Sequence, residues 1–141
     1  MKRQIIAVIA PGDMGSGVGQ ALSRGGHDVV TSLTGRSVES RTRAERHGFR
    51  DLVDLDIVVR EASLILSILP PAAAVALATD VSAAMERSGV RPVYMDCNAI
   101  SPDNSRRIAR IMEAVGAAYI DCGIIGLAPG KGPQPARFYV S

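Results

Sequence analysis

The sequence predicts an α/β fold: a doubly wound, mostly parallel sheet with helices on both faces. Three observations carry that expectation. Short apolar runs alternate with longer amphipathic stretches, the pattern of repeated strand–helix units. The runs are continuously apolar, as strands covered on both faces require. And the 141 residues contain no linker, repeat or low-complexity tract, so a single domain spanning 1–141 is expected.

Ile5 to Ala10 reads as the first strand. Asp13 to Arg24 reads as a helix with Met14, Val18, Ala21 and Leu22 on one side, closed by Gly25-Gly26. Asp28 to Leu33 is a second strand, and Val38 to His47 a polar helix ending at Gly48. Leu52 to Ala62 reads as a short strand or turn followed by a short helix. Ser63 to Leu69 is a buried strand stopped by Pro70-Pro71, and Ala72 to Arg87 an Ala-rich helix. Pro92 to Asp96 is a strand, Pro102 to Val115 a helix and Ala118 to Asp121 a strand. A Gly/Pro loop over Gly126 to Pro135 then leads to the start of a last strand at Phe138 to Val140.

Composition excludes several classes. Hydrophobic residues make up 47% and charged residues 21%, with no tryptophan, which is a soluble globular balance. A net charge of +2 implies no polyanion-binding surface, so no nucleic-acid partner is expected. No stretch approaches the ~20 apolar residues of a membrane span. Met1-Lys2-Arg3 before an apolar run looks like the start of a signal peptide, but the run stops at Pro11-Gly12-Asp13 without a cleavage pattern. A buried strand explains it better. Cys97 and Cys122 each follow an Asp at the end of an apolar run and read as reduced thiols at strand ends in a cytoplasmic protein. No metal site is expected, since His27 and His47 are the only histidines.

Ala10-Pro11-Gly12-Asp13-Met14-Gly15 lies directly after the first strand and opens the first helix, where a dinucleotide fingerprint belongs. Such a site needs a tight turn, then a residue without Cβ so that the backbone can approach a pyrophosphate. A third small residue lets the helix pack close to the sheet. Gly12 and Gly15 fill the second and third roles, while Ala10 replaces the first glycine and must keep φ negative. Asp13 is expected to point to solvent and cap the helix. The helix N-terminus then offers N–H groups and partial positive charge to phosphates.

The second strand indicates which dinucleotide. NAD-binding domains usually carry an acidic residue at its end for the ribose hydroxyls. Here no Asp or Glu occurs between Asp28 and Glu39, and the strand runs into Thr34-Gly35-Arg36-Ser37. A cation flanked by hydroxyls suits a 2′-phosphate, which favours NADP over NAD. Fourteen of the 16 basic residues are arginine. Arg41, Arg43, Arg46 and Arg50 are expected on the exposed face of the next helix, with Glu39 and Glu45 as partners.

With these segments placed, the chain resembles the N-terminal Rossmann-type domain of the 3-hydroxyisobutyrate and 6-phosphogluconate dehydrogenase superfamily, in particular its phosphogluconate-dehydrogenase-like members. The matching elements are Gly12-Asp13-Met14-Gly15, Gly26-His27-Asp28-Val29, Arg36-Ser37, Ser67-Ile68-Leu69-Pro70 and Asp96-Cys97-Asn98-Ala99-Ile100-Ser101-Pro102. The resemblance implies that Leu69-Pro70 and Asn98-Ala99 line the nicotinamide side of the cofactor. It also implies hydride transfer between nicotinamide and a small hydroxy acid or related small-molecule substrate.

Two departures from the family pattern stand out. Asp121-Cys122-Gly123-Ile124-Ile125-Gly126-Leu127 occupies the place of the family's substrate-binding Asp-x-Pro-Val-Ser-Gly-Gly, so Ile125 replaces the serine beside Gly126. The family's catalytic lysine has no counterpart, because the only lysines are Lys2 and Lys131. The expectation is a truncated form whose missing helical half supplies the lysine and the homodimer contacts, the present chain being inactive alone. The alternative is a non-catalytic NADP(H)-binding or sensing module. A methyl-donor site fits poorly, since that ligand offers no phosphate to the arginine loop.

Overall fold

Five consecutive apolar residues, Ile5–Ile9, form strand β1. It leads through a tight turn into helix α1 (Asp13–Arg24), followed by β2 (Asp28–Thr31), α2 (Val38–Arg46), β3 (Arg50–Asp51) and α3 (Leu55–Glu61). The chain continues with β4 (Leu64–Ser67), a 3-10 turn (Pro71–Ala73), α4 (Ala74–Ser88), β5 (Val93–Asp96), α5 (Pro102–Ala114), β6 (Tyr119–Ile125) and β7 (Arg137–Val140). The computed structural model describes residues 2–126, 128 and 137–141. The seven strands form one sheet in the order β3-β2-β1-β4-β5-β6-β7. All pairings are parallel except β6 with β7. The predicted doubly wound α/β fold is therefore the observed one.

The apolar run of β1 is divided by the two-residue strand period. Ala7 and Ile9 join Val58 of α3, Ala78, Val81 and Met85 of α4, and Ile108 and Met112 of α5 in one core. Ile6 and Val8 join Val18 of α1, Ala44 of α2 and Phe49 in the other. Fully burying each such aliphatic side chain is worth about 1.5–3 kcal/mol. Helices on both faces follow directly.

Side-chain caps set three helix starts. Ser37 Oγ accepts from Ser40 N at 3.1 Å, Asp54 Oδ1 from Ile57 N at 3.0 Å and Ser101 Oγ from Asn104 N at 3.1 Å. Helix α4 closes on Gly89, whose φ of 74° is the left-handed C-terminal conformation. Helix α1 begins without a side-chain cap.

The main departures lie in the C-terminal third. β6 continues to Ile125 and does not stop at Asp121 as expected. Its first part, Tyr119–Asp121, pairs with β5, and Cys122–Ile125 pair antiparallel with β7. The extension finds its hydrogen bonds on β7 beyond the end of β5, which a strand-by-strand reading of the sequence does not reveal. Most of the predicted Gly/Pro loop after Gly126 lies outside the described residues. No helix among the described residues is long and apolar enough to cross a membrane.

Candidate functional site

With β1 between β2 and β4, the order of the strand connections reverses at β1, a switch point beyond whose strand ends open α/β sheets form their ligand crevice. The turn leaving β1 is tightly tied. Ala10 N–H donates to Ile68 O at 2.8 Å, Ile68 N–H to Ile9 O at 2.6 Å, and Gly12 N–H to Ala10 O at 2.8 Å. The buried Ser16 Oγ donates to Pro11 O at 3.0 Å, bracing the turn from inside the helix. Val53 is the one non-glycine with positive φ among the described residues, so Ala10 meets the requirement placed on it.

The two glycines of the turn are opposites. A Cβ on Gly15 would stand 2.0 Å from Ala10 O, so only glycine lets α1 approach the strand end. A Cβ on Gly12 would meet nothing within 4 Å. Gly12 is the N-cap of α1, extended at φ −75° and ψ −164°. Asp13 is therefore the first helical residue and not the cap expected from the sequence; its side chain is exposed. The N-cap of α1 thus makes no side-chain hydrogen bond, and open space lies beside Gly12 at the helix start. That cradle fits a pyrophosphate.

At the end of β2, the Ser32 hydroxyl donates to Val53 O at 2.7 Å, and the Thr34 hydroxyl donates to the same carbonyl. Asp51, paired with Thr31 across the β2–β3 ladder, accepts Leu33 N–H at 3.2 Å and Val53 N–H at 2.9 Å. Its carboxylate is thus held by backbone amides. Gly35 turns the chain at φ +77°, and Arg36 N–H closes the turn on Leu33 O at 2.9 Å. The Arg36 side chain is half-buried and forms no ion pair among the described residues. Ser37, expected beside it as a phosphate ligand, has its oxygen engaged as the cap of α2. A cavity of about 410 Å³ opens beside this loop, with Ser32, Thr34, Asp54 and Arg87 in its wall.

Arg41, Arg43 and Arg46 lie on α2 as expected, Arg41 and Arg46 exposed, but without the expected glutamate partners. No ion pair joins Arg41, Arg43 or Arg46 to Glu39 or Glu45 among the described residues. Arg41 Nη2 donates to Leu33 O at 2.8 Å, and Arg43 Nη1 reaches Pro11 O at 3.5 Å. Each guanidinium adds a second bond to a carbonyl already held, Leu33 O by Arg36 N–H and Pro11 O by Ser16 Oγ. Arg50 lies in β3, not on the helix, and pairs with Asp28 at 2.7 Å and Glu61 at 3.7 Å.

At the neighbouring ends of β4 and β5, the Leu69-Pro70 and Asn98-Ala99 segments lie side by side. Cys97 N–H donates to Ser67 O at 3.0 Å and Leu69 N–H to Asn98 Oδ1 at 2.8 Å. Asp96 is fully buried, and its carboxyl is raised above the usual range, first by burial and also by the neighbouring Asp121. Cys97 and Cys122 are both free and buried, and burial pushes both thiols up. Cys122, however, lies inside β6 and not at a strand end.

Ile125 and Gly126, the positions matching the family's substrate motif, are exposed. Ile125 pairs with Arg137 of β7. Met14 packs partly into the core beneath α1. Gly19 went unrecognised in the sequence: a Cβ there would stand 2.1 Å from the Phe49 ring, so it too sets how closely α1 packs. Its spacing of four from Gly15, on the same helix face, was the available signal.

A parallel sheet with a switch point beside β1, a glycine-dependent strand-to-helix turn and an uncapped helix N-terminus define a Rossmann-type dinucleotide-binding domain. Residues 5–136 match the family model described as the NAD binding domain of 6-phosphogluconate dehydrogenase, and the chain belongs to that family. Its structure is similar to that of a conserved protein of unknown function described as structurally similar to 3-hydroxyacid dehydrogenases: TM-score 0.81, 27% identity, 96% of this chain and 49% of that one. It is also similar to Mycobacterium tuberculosis 3-hydroxyisobutyrate dehydrogenase, solved with L-serine: TM-score 0.80, 25% identity, 99% of this chain and 46% of that one. In sequence it is 25% identical over 149 residues to a Streptococcus pyogenes glycerol-3-phosphate dehydrogenase [NAD(P)+], covering 97% of this chain and 43% of that enzyme. The chain spans less than half the length of these relatives.

Proposed function

We propose that this chain is the NADP(H)-binding domain of an oxidoreductase that transfers hydride between nicotinamide and a small hydroxy acid or related substrate. The observation that carries the choice of NADP is the end of β2. Asp51, the carboxylate paired beside it, is held by two backbone amides, while the Arg36 guanidinium has no ion-pair partner among the described residues. A ribose diol would want the carboxylate; a 2′-phosphate wants the cation.

Bound at the crevice, the cofactor supplies the hydride donor or acceptor. The residues of this chain bind and orient it: Gly12 and the first amides of α1 at the pyrophosphate, Thr34 and Arg36 at the adenosine ribose, and the Leu69-Pro70 and Asn98-Ala99 segments at the nicotinamide. On this reading the acid/base lysine, the substrate contacts and the homodimer interface come from sequence outside this chain, which alone binds cofactor and turns nothing over.

The test is calorimetric titration of NADPH and NADH into the wild type and Arg36→Ala. Loss of one charged hydrogen-bonded contact, about 1.5–3 kcal/mol, lowers NADPH affinity by about 10- to 150-fold and leaves NADH nearly unchanged. Equal losses for both dinucleotides, or NADH binding as tightly as NADPH in the wild type, would sink the NADP assignment.

A further inference from the structure

Both donor hydrogens of the Asn98 side-chain amide, and one acceptor site of its oxygen, are engaged by the protein. Nδ2 donates to Ser67 Oγ at 3.0 Å and to Asp96 Oδ2 at 3.3 Å, while Oδ1 accepts Leu69 N–H at 2.8 Å. The backbone N–H of Asn98 donates to Asp96 Oδ1 at 2.9 Å. A primary amide has two donor hydrogens, and both are taken. The residue that the family resemblance sets against the nicotinamide therefore has no hydrogen left to offer it.

The position of these bonds shows what they do instead. Ser67 is the last residue of β4 and pairs with Asp96, the last of β5. Beyond them, Leu69 N–H is the final amide donor before Pro70 and Pro71, neither of which has one. The Asn98 side chain takes the place of a strand carbonyl for that amide. It prolongs the β4–β5 connection by one bond while the two backbones part to form the crevice. Asp96 fixes the orientation of the amide, because reversing it would turn Oδ1 toward the carboxylate and Nδ2 toward the Leu69 N–H. Ser67, Asp96 and Asn98 are all buried, so water competes little for these bonds.

We infer that Asn98 is a positioning residue: held by Asp96 and Ser67, it is a strut that sets the spacing of the β4 and β5 ends and the conformation of Leu69-Pro70, and thereby the shape of the nicotinamide end of the crevice. This inference rests on the cofactor reading above, and it separates two roles that the sequence motif merges. Ala99, exposed and next in the chain, is left at the crevice surface, while Asn98 works behind it.

The experiment compares two probes on the same protein: NADPH, and 2′-phospho-ADP-ribose, which lacks the nicotinamide. In Asn98→Ala, NADPH affinity should fall about tenfold, with the fluorescence gain of bound reduced nicotinamide lost, while 2′-phospho-ADP-ribose stays within about twofold of wild type. Retained binding of the second probe doubles as the control for folding. Ser67→Ala, which removes one acceptor and no strand contact, should shift NADPH the same way by a smaller factor, and carries the comparison if Asn98→Ala does not fold. The inference is overturned if both probes weaken in parallel or if neither changes. Failure of the wild type to bind either probe instead removes the cofactor reading, and this inference with it.

Discussion

The two ends of the crevice are built on opposite principles. At the ends of β1, β4 and β5 the polar groups are buried and bonded to one another: Ile9 with Ile68, Ala10 with Ile68, Leu69 with Asn98, Asn98 with Asp96 and Ser67. At the end of β2 the loop is exposed, anchored from behind through Val53 O, and it carries a cation without an ion-pair partner among the described residues. The first region has its shape before any ligand arrives, since closed hydrogen-bond networks rigidify what they join. The second holds a half-buried guanidinium with no ion-pair partner among the described residues, a charge open to pairing with an anionic ligand. Shape at one end and charge at the other is a division of labour that mutation can test.

The largest effect should come from the shaped end. Gly15→Ala drives a Cβ to 2.0 Å from the Ala10 carbonyl, a backbone atom that cannot rotate away, and should cost about 3 kcal/mol in urea unfolding. Gly12→Ala, three residues earlier, meets open space and should change stability by less than about 0.5 kcal/mol while weakening dinucleotide binding. If the two variants were equally stable, the turn would not have the rigidity ascribed to it.

A middle-sized effect is expected from Gly19→Ala, whose new methyl would stand 2.1 Å from the Phe49 ring. Overpacking of this kind costs about 1–3 kcal/mol, and Phe49→Leu in the same chain should recover part of it. Additive losses in the double variant would mean that the helix is held off the sheet by something other than this ring.

The smallest effect concerns Asp96. An acid whose native pKa is raised binds its proton more tightly folded than unfolded, so it favours folding at low pH. That advantage fades as pH rises from the ordinary carboxylate value of about 4 through the raised one. Denaturant midpoints of wild type and Asp96→Asn, measured across pH, should therefore diverge in favour of wild type as pH falls through that window. A divergence that grew with rising pH would have the wrong sign for a buried carboxylate.

Much of this was legible in the sequence. The apolar run of Ile5–Ile9, the glycine turn after it and the proline stop at Pro70 gave the first strand, the strand-to-helix turn and the end of β4, because each is a local property of chain geometry. What escaped depends on partners distant in sequence. The role of Gly19 is set by Phe49, and the arginines of α2 turn toward carbonyls of Pro11 and Leu33, not toward neighbouring glutamates. The extension of β6 to Ile125 depends on β7. Asp96-Cys97-Asn98 was recognised as a motif, yet its hydrogen bonds to Ser67 and Leu69 across the strand gap have no one-dimensional signature.

Val53 joins the charged loop to the rest of the molecule. Its backbone is left-handed at φ 72°, its side chain is 58% exposed, and its single carbonyl takes the hydroxyls of both Ser32 and Thr34. Packing does not account for a branched residue in that conformation, which costs about 1–2 kcal/mol outside glycine. On the proposed reading, the aim of Arg36 is then inherited from a turn between β3 and α3. Preference between two dinucleotides could drift over generations through substitutions at 53 and its neighbours, with every residue that contacts the ligand unchanged.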